Sequence, residues 1–363
     1  MLALAAAAAA LWWALLLVPW RPWRAGPVLD AQAPARVVSG SVTAVIPARD
    51  EAALVARCVA SVRAQGVDAV VVDDQSEDDT AAIARAAGAS VVRGEAMPSG
   101  WSGKVWALEQ GRAHATTDYV LLVDADIELG AGIVDALLAK MKHEGIAFAS
   151  LVPQPRFEAF WEKLLMPAFV YFFALLYPFR LSSSPRSRVA AASGGCVLVE
   201  RRALEAIGGF AALKGALIDD CTLARCVKRA GFMTWIGLTR SAHSLRPYPA
   251  RADVWAMVER NAYTQLRYAV GWLCACTALM VLAFWVPVIA LFDARAAVQV
   301  LGAAAIAATI ASYLPTLRFY RRSPAWALAL LVIATLFLAM TWTSALRYYR
   351  RERARWKGRV YAT

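Results

Sequence analysis

Uncharged apolar runs lie at both ends of this chain, with a charged, strand-rich stretch between them, and that division limits the possible folds more than any single motif. The N-terminal LALAAAAAALWWALLLVPW and the segments at 272–292, 296–314 and 325–346 each approach the roughly 20 residues that cross a bilayer. The last three hold no charged side chain, so no proton or ion relay runs through them, which argues against a transporter. With 60% hydrophobic and only 18% charged residues, the chain is too apolar to be wholly soluble. No basic residue precedes the first run and no small-residue cleavage site closes it, so residues 1–20 read as an uncleaved anchor rather than a signal peptide.

Residues 40–268 read as an α/β domain. AVVVDDQSEDDT and YVLLVDADIEL are near-continuous apolar strands, which a parallel sheet covered on both faces requires, and each ends in carboxylates where such sheets bind ligands. SVTAVIPARDE opens as a strand and breaks at Pro47 into a helix with Leu54, Val55, Val59 and Val62 on one side. No G-x-G-x-x-G follows it, which removes the main signal for a dinucleotide-binding oxidoreductase. Asp73 and Asp74 are placed to accept from a base edge or a ribose hydroxyl, whereas Asp78 and Asp79 cap the helix that Thr80 opens. Gly100 and Gly103 give tight backbone before Lys104, which stands at a helix N-terminus and suits a phosphate. Asp124 and Asp126 suit a hard divalent cation, magnesium or manganese, shared with substrate phosphates. Asp219 and Asp220 precede another helix, either as caps or as a general base for an acceptor hydroxyl.

The net charge of +12 gathers beside the apolar segments, at Arg318, Arg321 and Arg322 and in the tail at 347–363. Such clusters attract anionic headgroups and mark the cytoplasmic side of a membrane. The soluble part has no basic stripe with interleaved aromatics, which excludes a nucleic-acid partner. Six scattered cysteines, none at zinc-ligand spacing from His114, His143 or His243, form no disulfide framework and fit a reducing cytosol. The apolar segment at 157–179 does not span, because a crossing there would separate Asp126 from Asp220. It reads as an interfacial helix with Trp161, Phe172, Phe173 and Tyr177 among headgroups. An inward-ending anchor plus three crossings would leave the basic tail outside. Either one C-terminal segment is re-entrant or the tail breaks the rule, and the expectation is a cytosolic tail whose WKGR supports the active site.

The series VIPARDE, VVDDQSEDDT, GK-x-x-AL, VDADIEL, SGGCVLVERRALEAIGGF, IDDCTLARCVKRAG and RNAYTQLRY resembles the membrane-bound family 2 glycosyltransferases with a GT-A nucleotide-sugar domain. GWSGKVWA, RNAYTQLRY, the C-terminal apolar segments and the closing WKGRVY most resemble the hopene-associated glycosyltransferases of bacterial hopanoid gene sets, with ceramide glucosyltransferases more distant. The resemblance covers nearly the whole chain. It implies an α/β GT-A domain with a mostly parallel sheet at 40–268, an anchor at 1–20, three spans within 270–346, and a cytosolic site at a bacterial inner membrane. It implies that Pro47, Arg49, Glu51, Asp73, Asp74 and Lys104 face the donor, with Asp74 at the nucleoside, that Asp126 binds the metal with Asp124 assisting, and that Asp220, beside Asp219, is the base. Gly194 and Gly195 would shape the acceptor side. Gln265, Arg267 and Tyr268 fall where relatives carry a Q-x-x-R-W box that holds the donor diphosphate or the acceptor, but here the box is one residue short and ends in tyrosine, which weakens a processive polymer synthase. The implied reaction is inverting transfer from a nucleotide-diphospho-sugar to a lipid, possible acceptors including a hopanoid or a polyprenyl phosphate. A catalytically silent scaffold is the contrasting reading.

Overall fold

The computed structural model describes residues 1–31, 40–216 and 218–350, with the backbone of 355–356 and 359–360. The expectation placed on WKGR therefore falls outside the described side chains. In chain order the elements are α1 (Leu2–Leu17), β1 (Val42–Ala48), α2 (Val55–Arg63), β2 (Asp68–Asp73), α3 (Thr80–Ala86), β3 (Ser90–Arg93), α4 (Gly103–Arg112), β4 (Tyr119–Val123) and β5 (Ile127–Leu129). There follow α5 (Ile133–Glu144), β6 (Phe148–Gln154), α6 (Phe160–Leu176), α7 (Phe179–Ser182), β7 (Cys196–Glu200), α8 (Arg201–Ala206), α9 (Asp219–Arg229) and β8 (Thr234–Ser244). The C-terminal part holds α10 (Arg251–Gln265), α11 (Val270–Met280), α12 (Val286–Ala290), α13 (Ala296–Phe319) and α14 (Leu330–Tyr349).

The chain divides into two compact units. One, from Gly26–Arg156 and Phe179–Pro247, is built on an eight-stranded sheet of order β3-β2-β1-β4-β7-β6-β8-β5. β1 pairs in parallel with β2 and β4, β2 with β3 and β6 with β8, while β7 runs antiparallel between β4 and β6 and β5 antiparallel to β8. Alternate residues of one strand enter opposite cores, which is why the strands read as unbroken apolar runs. Leu121 and Val123 pack with α2 and α5 on one face, and Val120 and Leu122 pack with α4, α8 and α9 on the other. Contrary to the expected break, β1 continues through Pro47 to Ala48. β4 pairs with β1 only as far as Val45, so the strand is open on that edge where proline lacks its donor. Thr80 begins α3 as expected, with its N–H donating to Asp78 Oδ1 at 3.0 Å.

The second unit is helical and comprises Met1–Ala25, Phe157–Pro178 and, from Tyr248 on, α10 to α14. Val270–Ala290, Ala296–Phe319 and Pro324–Tyr349, of 21, 24 and 26 residues, are long and apolar enough to cross a membrane. α1 is apolar but only 16 residues long, shorter than the expected anchor, because the chain turns at Val18 where Arg21 N–H donates to Val18 O. α6 and α10 pack with the apolar helices, so the segment expected within the α/β domain belongs to the helical unit. Phe172 does not face outward. Its ring lies 5.4 Å from that of Phe337 and 6.2 Å from that of Phe284, and the exposed side chains of α6 are Phe160, Phe169 and Leu176.

Candidate active site

The carboxyl end of β4 gathers the carboxylates because of how its neighbours are paired. β7 is antiparallel to β4 with Val123 opposite Cys196, so Asp124, one residue on, meets Gly195, and its N–H donates to Gly195 O at 3.3 Å. Gly194 N–H donates in turn to Asp220 Oδ2 at 2.9 Å, and Cys221 N–H donates to Asp220 Oδ1 at 2.7 Å. Crowding demands Gly195, while Gly194 is approached by the flexible end of a side chain. A Cβ on Gly195 would lie 2.9 Å from Pro153 Cγ, and one on Gly194 3.0 Å from Lys104 Nζ and 3.6 Å from Asp220 Oδ2.

Lys104, on the first turn of α4, reaches across this gap. Its Nζ stands 2.6 Å from Asp124 Oδ1 and 3.9 Å from Asp219 Oδ2. Burial works against the ammonium, but Asp124 and Asp219 hold it charged, well above the usual lysine range. Burial pushes the Asp124 carboxyl up, Lys104 pulls it down and nearby Asp126 pushes it up again. Asp220 is pushed up to about 6, chiefly by burial and then by Asp219, against the pull of Lys104.

A second cation serves the other aspartate. Antiparallel pairing sets Ile127 opposite Ser244, so Leu245 N–H donates to Asp126 O at 2.7 Å and Arg246 follows at the site. Arg246 Nε lies 2.6 Å from Asp126 Oδ2, and its other arm donates to Glu51. Burial opposes the guanidinium charge, and Asp126 and Glu51 more than restore it. Arg246 escaped the sequence reading. Only the β5–β8 register reveals it.

Residues 43–208 match the family model described as Glycosyl transferase family 2. That match spans less than half of the chain. The 4,4'-diaponeurosporenoate glycosyltransferase of Staphylococcus aureus (strain MRSA252) is 38% identical over 109 residues, which span 29% of this chain and 29% of that relative. The counterpart from strain USA300 is 37% identical over the same length and shares. Mannosyltransferase PcManGT from Pyrobaculum calidifontis, solved with GDP-Man and Mn2+, superposes with a TM-score of 0.60 at 20% identity, covering 97% of this chain and 100% of that one. The fold is GT-A.

Within the matched segment the remaining expected donor residues lie at the ends of β1 and β2. Asp74 is fully buried and Asp73 is 8% exposed. Arg49 donates through Nη1 to Asp74 O at 2.6 Å and to Gln75 O at 2.9 Å, so it braces the loop after β2, with Pro47 two residues before it in β1. Of the two residues expected to cap α3, Asp78 accepts from Thr80 N–H, whereas Asp79 occupies the N-cap position without a side-chain cap hydrogen bond. Gln265, Arg267 and Tyr268 belong to the helical unit. Gln265 Oε1 accepts from the Tyr177 hydroxyl at 2.6 Å, Arg267 and Tyr268 take left-handed φ of 53° and 57°, and the Tyr268 ring stacks on Tyr348 at 4.5 Å.

Proposed function

We propose that the chain is a membrane-embedded glycosyltransferase that moves a sugar from a nucleotide-diphospho-sugar, with inversion, to a lipid at the cytosolic face of a bacterial inner membrane. The observation that carries this reading is the convergence of Asp124, Asp126, Asp219 and Asp220 with Lys104 and Arg246 at the carboxyl end of the sheet of a GT-A domain. Asp73 and Asp74, with Pro47, Arg49 and Glu51, form the donor-nucleoside side. Lys104 is suited to the diphosphate because its charge is kept by the acids around it. Asp220, held by two backbone N–H groups, takes the proton of an acceptor hydroxyl arriving past Gly194 and Gly195.

Asp124 and Asp126 fit a magnesium or manganese ion. They form an all-oxygen pair, each held against a side-chain cation, and among the described residues no group of three or more His, Cys, Asp or Glu could hold a metal alone. Asp126, with Asp124, would hold the ion jointly with the diphosphate. When bound, the ion offsets charge on the departing diphosphate. Lys104 and Arg246 already neutralise the aspartates, so a cation arriving without its anion adds unbalanced charge. The Mn2+ named with the mannosyltransferase of like fold supports this assignment.

A relative named for diaponeurosporenoate supports an apolar acceptor, and a hopanoid-type lipid is the finer proposal from the sequence. Trp326, just before α14, meets Phe160, and Arg347 pairs with Glu259 at 2.8 Å while Tyr348 stacks on Tyr268. A cytosolic position for the basic tail is proposed from the charge of its arginines, as expected from the sequence.

The test is mass spectrometry of lipids from membranes that contain the full chain and a panel of nucleotide-sugars. A new glycolipid formed from one donor is expected. Donor consumption with a soluble acceptor only would refute the lipid assignment. An ionised acceptor, carboxylate or phosphate, needs no base. Asp220→Asn therefore separates a hydroxyl acceptor, for which the rate falls roughly 10²–10⁴-fold, from the polyprenyl-phosphate alternative, for which it changes little.

A further inference from the structure

We propose that a recess in the helical unit, where the C-terminal ends of α1 and α13 meet, binds the phosphate of an anionic phospholipid headgroup. It is an open surface recess of about 560 Å³ lined by Arg21, Arg24 and Arg318, all three exposed, with Trp23 and Phe319 beside them. It is formed by a specific turn. Arg21 N–H donates to Val18 O at 3.0 Å and Arg24 N–H to Arg21 O at 3.1 Å, with Arg21 in a left-handed φ of 39°, so the chain winds tightly after α1 and sets two arginines into one wall. Trp23 is fixed by its indole N–H donating to Leu16 O at 3.2 Å. α13 supplies Arg318 from the opposite wall, in its last turn.

No carboxylate lines the recess, and among the described residues none of the three guanidinium groups forms an ion pair. Charge that complements two helix C-termini would account for one arginine at each end. It does not account for three converging on a recess. A guanidinium fork matches a phosphate in two-point contact, and an aromatic pair at the edge of apolar helices suits the boundary between headgroup and acyl chain. An anionic diacyl lipid supplies both halves of this chemistry, whereas free phosphate supplies only one. The inference rests on the membrane placement proposed above.

The full-length protein in neutral detergent, titrated separately with phosphatidylglycerol, phosphatidylcholine and inorganic phosphate and read by native mass spectrometry, tests it. Phosphatidylglycerol is expected to bind at one equivalent and at least tenfold tighter than phosphatidylcholine. The Arg21→Gln/Arg24→Gln/Arg318→Gln variant should lose about a hundredfold in affinity, at roughly fivefold per arginine facing an anionic headgroup. Each single variant should lose roughly fivefold, which keeps the test usable if the triple variant misfolds. Equal affinity for the two lipids, equal affinity of the triple variant, or saturation by millimolar inorganic phosphate in place of lipid would each overturn the proposal. Liposome flotation of the wild type separates the two readings. Wild-type protein that stays in the soluble fraction overturns the membrane placement and this site with it, while protein that floats yet ignores headgroup charge overturns this site alone.

Discussion

If Asp220 is the base, kcat/KM must carry an acid limb near pH 6, because only the ionised carboxyl can take a proton and burial pushes its pKa up to about 6. Roughly nine-tenths of the group is ionised at pH 7 and roughly one-tenth at pH 5, so the rate should fall about tenfold for each unit below the limb. The causes of the shift give it direction. Asp219 raises the Asp220 pKa and Lys104 lowers it, so Asp219→Asn should move the limb to lower pH and Lys104→Gln should move it to higher pH. Asp220→Asn should abolish the limb and reduce kcat/KM by roughly 10²–10⁴. Part of any stability change is separable. Oδ1 and Oδ2 each accept a backbone N–H, from Cys221 and Gly194, and an amide keeps only one acceptor, costing about 1 kcal/mol. The raised pKa also means that folding favours the protonated form. That stability is present below the ordinary carboxylate range and is lost as pH rises through about 6, so removing the charge offsets part of the lost hydrogen bond at pH 7. The assay is initial rate against pH for the full chain in nanodiscs, with nucleotide affinity measured in parallel. A limb that stays in place in both Asp219→Asn and Lys104→Gln would refute the assignment, as would an Asp220→Asn variant whose main defect is donor affinity.

Three further outcomes follow from the same geometry. Asp126→Ala, or excess chelator with the wild type, should abolish turnover and weaken donor binding while the melting temperature stays near the wild-type value, and full turnover in chelator would remove the metal from the reading. Arg246→Gln takes the counter-charge from Asp126 and Glu51, so Mn2+ binding without nucleotide, followed by electron paramagnetic resonance, should tighten about tenfold, between the worth of an exposed pair and that of a buried one; unchanged Mn2+ affinity would argue against the charge-balance argument. Gly195→Ala sets a methyl 2.9 Å from Pro153 Cγ and 3.3 Å from Ile127 Cδ1 and should cost about 1–3 kcal/mol in thermal unfolding, whereas Gly194→Ala meets the flexible end of Lys104 and should lower activity with little loss of stability.

The strand-end carboxylates were legible because they rest on local chemistry. A strand buried on both faces is an unbroken apolar run, and the charged residue that closes it marks the carboxyl edge, as at Asp73 at the end of β2 and Asp124 just after β4. The paired glycines were legible for a similar reason, since SGG before a strand signals backbone that something approaches closely. Arg246 carries no such local mark. It becomes a site residue only because β5 pairs with β8 in a register that sets Ile127 opposite Ser244, and a register between distant segments is decided by the packing of the whole sheet. Pro47 misled for a related reason. A proline breaks a strand that is paired on both edges, but β4 ends its pairing at Val45, and that ending is not written in VIPARDE.

α6 shows how composition alone leaves a helix's partner open. Its apolar residues run nearly all round, so the sequence fixes that it is sheltered but not by what. Tyr171 settles it. Its hydroxyl shares a 2.7 Å hydrogen bond with Ser312 Oγ on α13, and its ring lies 5.0 Å from that of Tyr313, so the inner face of α6 is specified by polar and aromatic partners of the helical unit. Glu162 completes the argument at the other end. Its carboxylate accepts from Glu158 and Ala159 N–H at 2.8 and 2.9 Å and from Tyr248 N–H at 2.7 Å, tying the start of α6 to the chain that enters α10. A headgroup-facing helix has no use for a 1% exposed glutamate, whereas a helix locked between α10 and α13 needs one to satisfy the backbone where two segments enter the bundle. On the proposed membrane placement the exposed Phe160, Phe169 and Leu176, rather than Phe172, face the lipid, and a charged substitution there should separate transfer to the proposed lipid acceptor from slow donor hydrolysis.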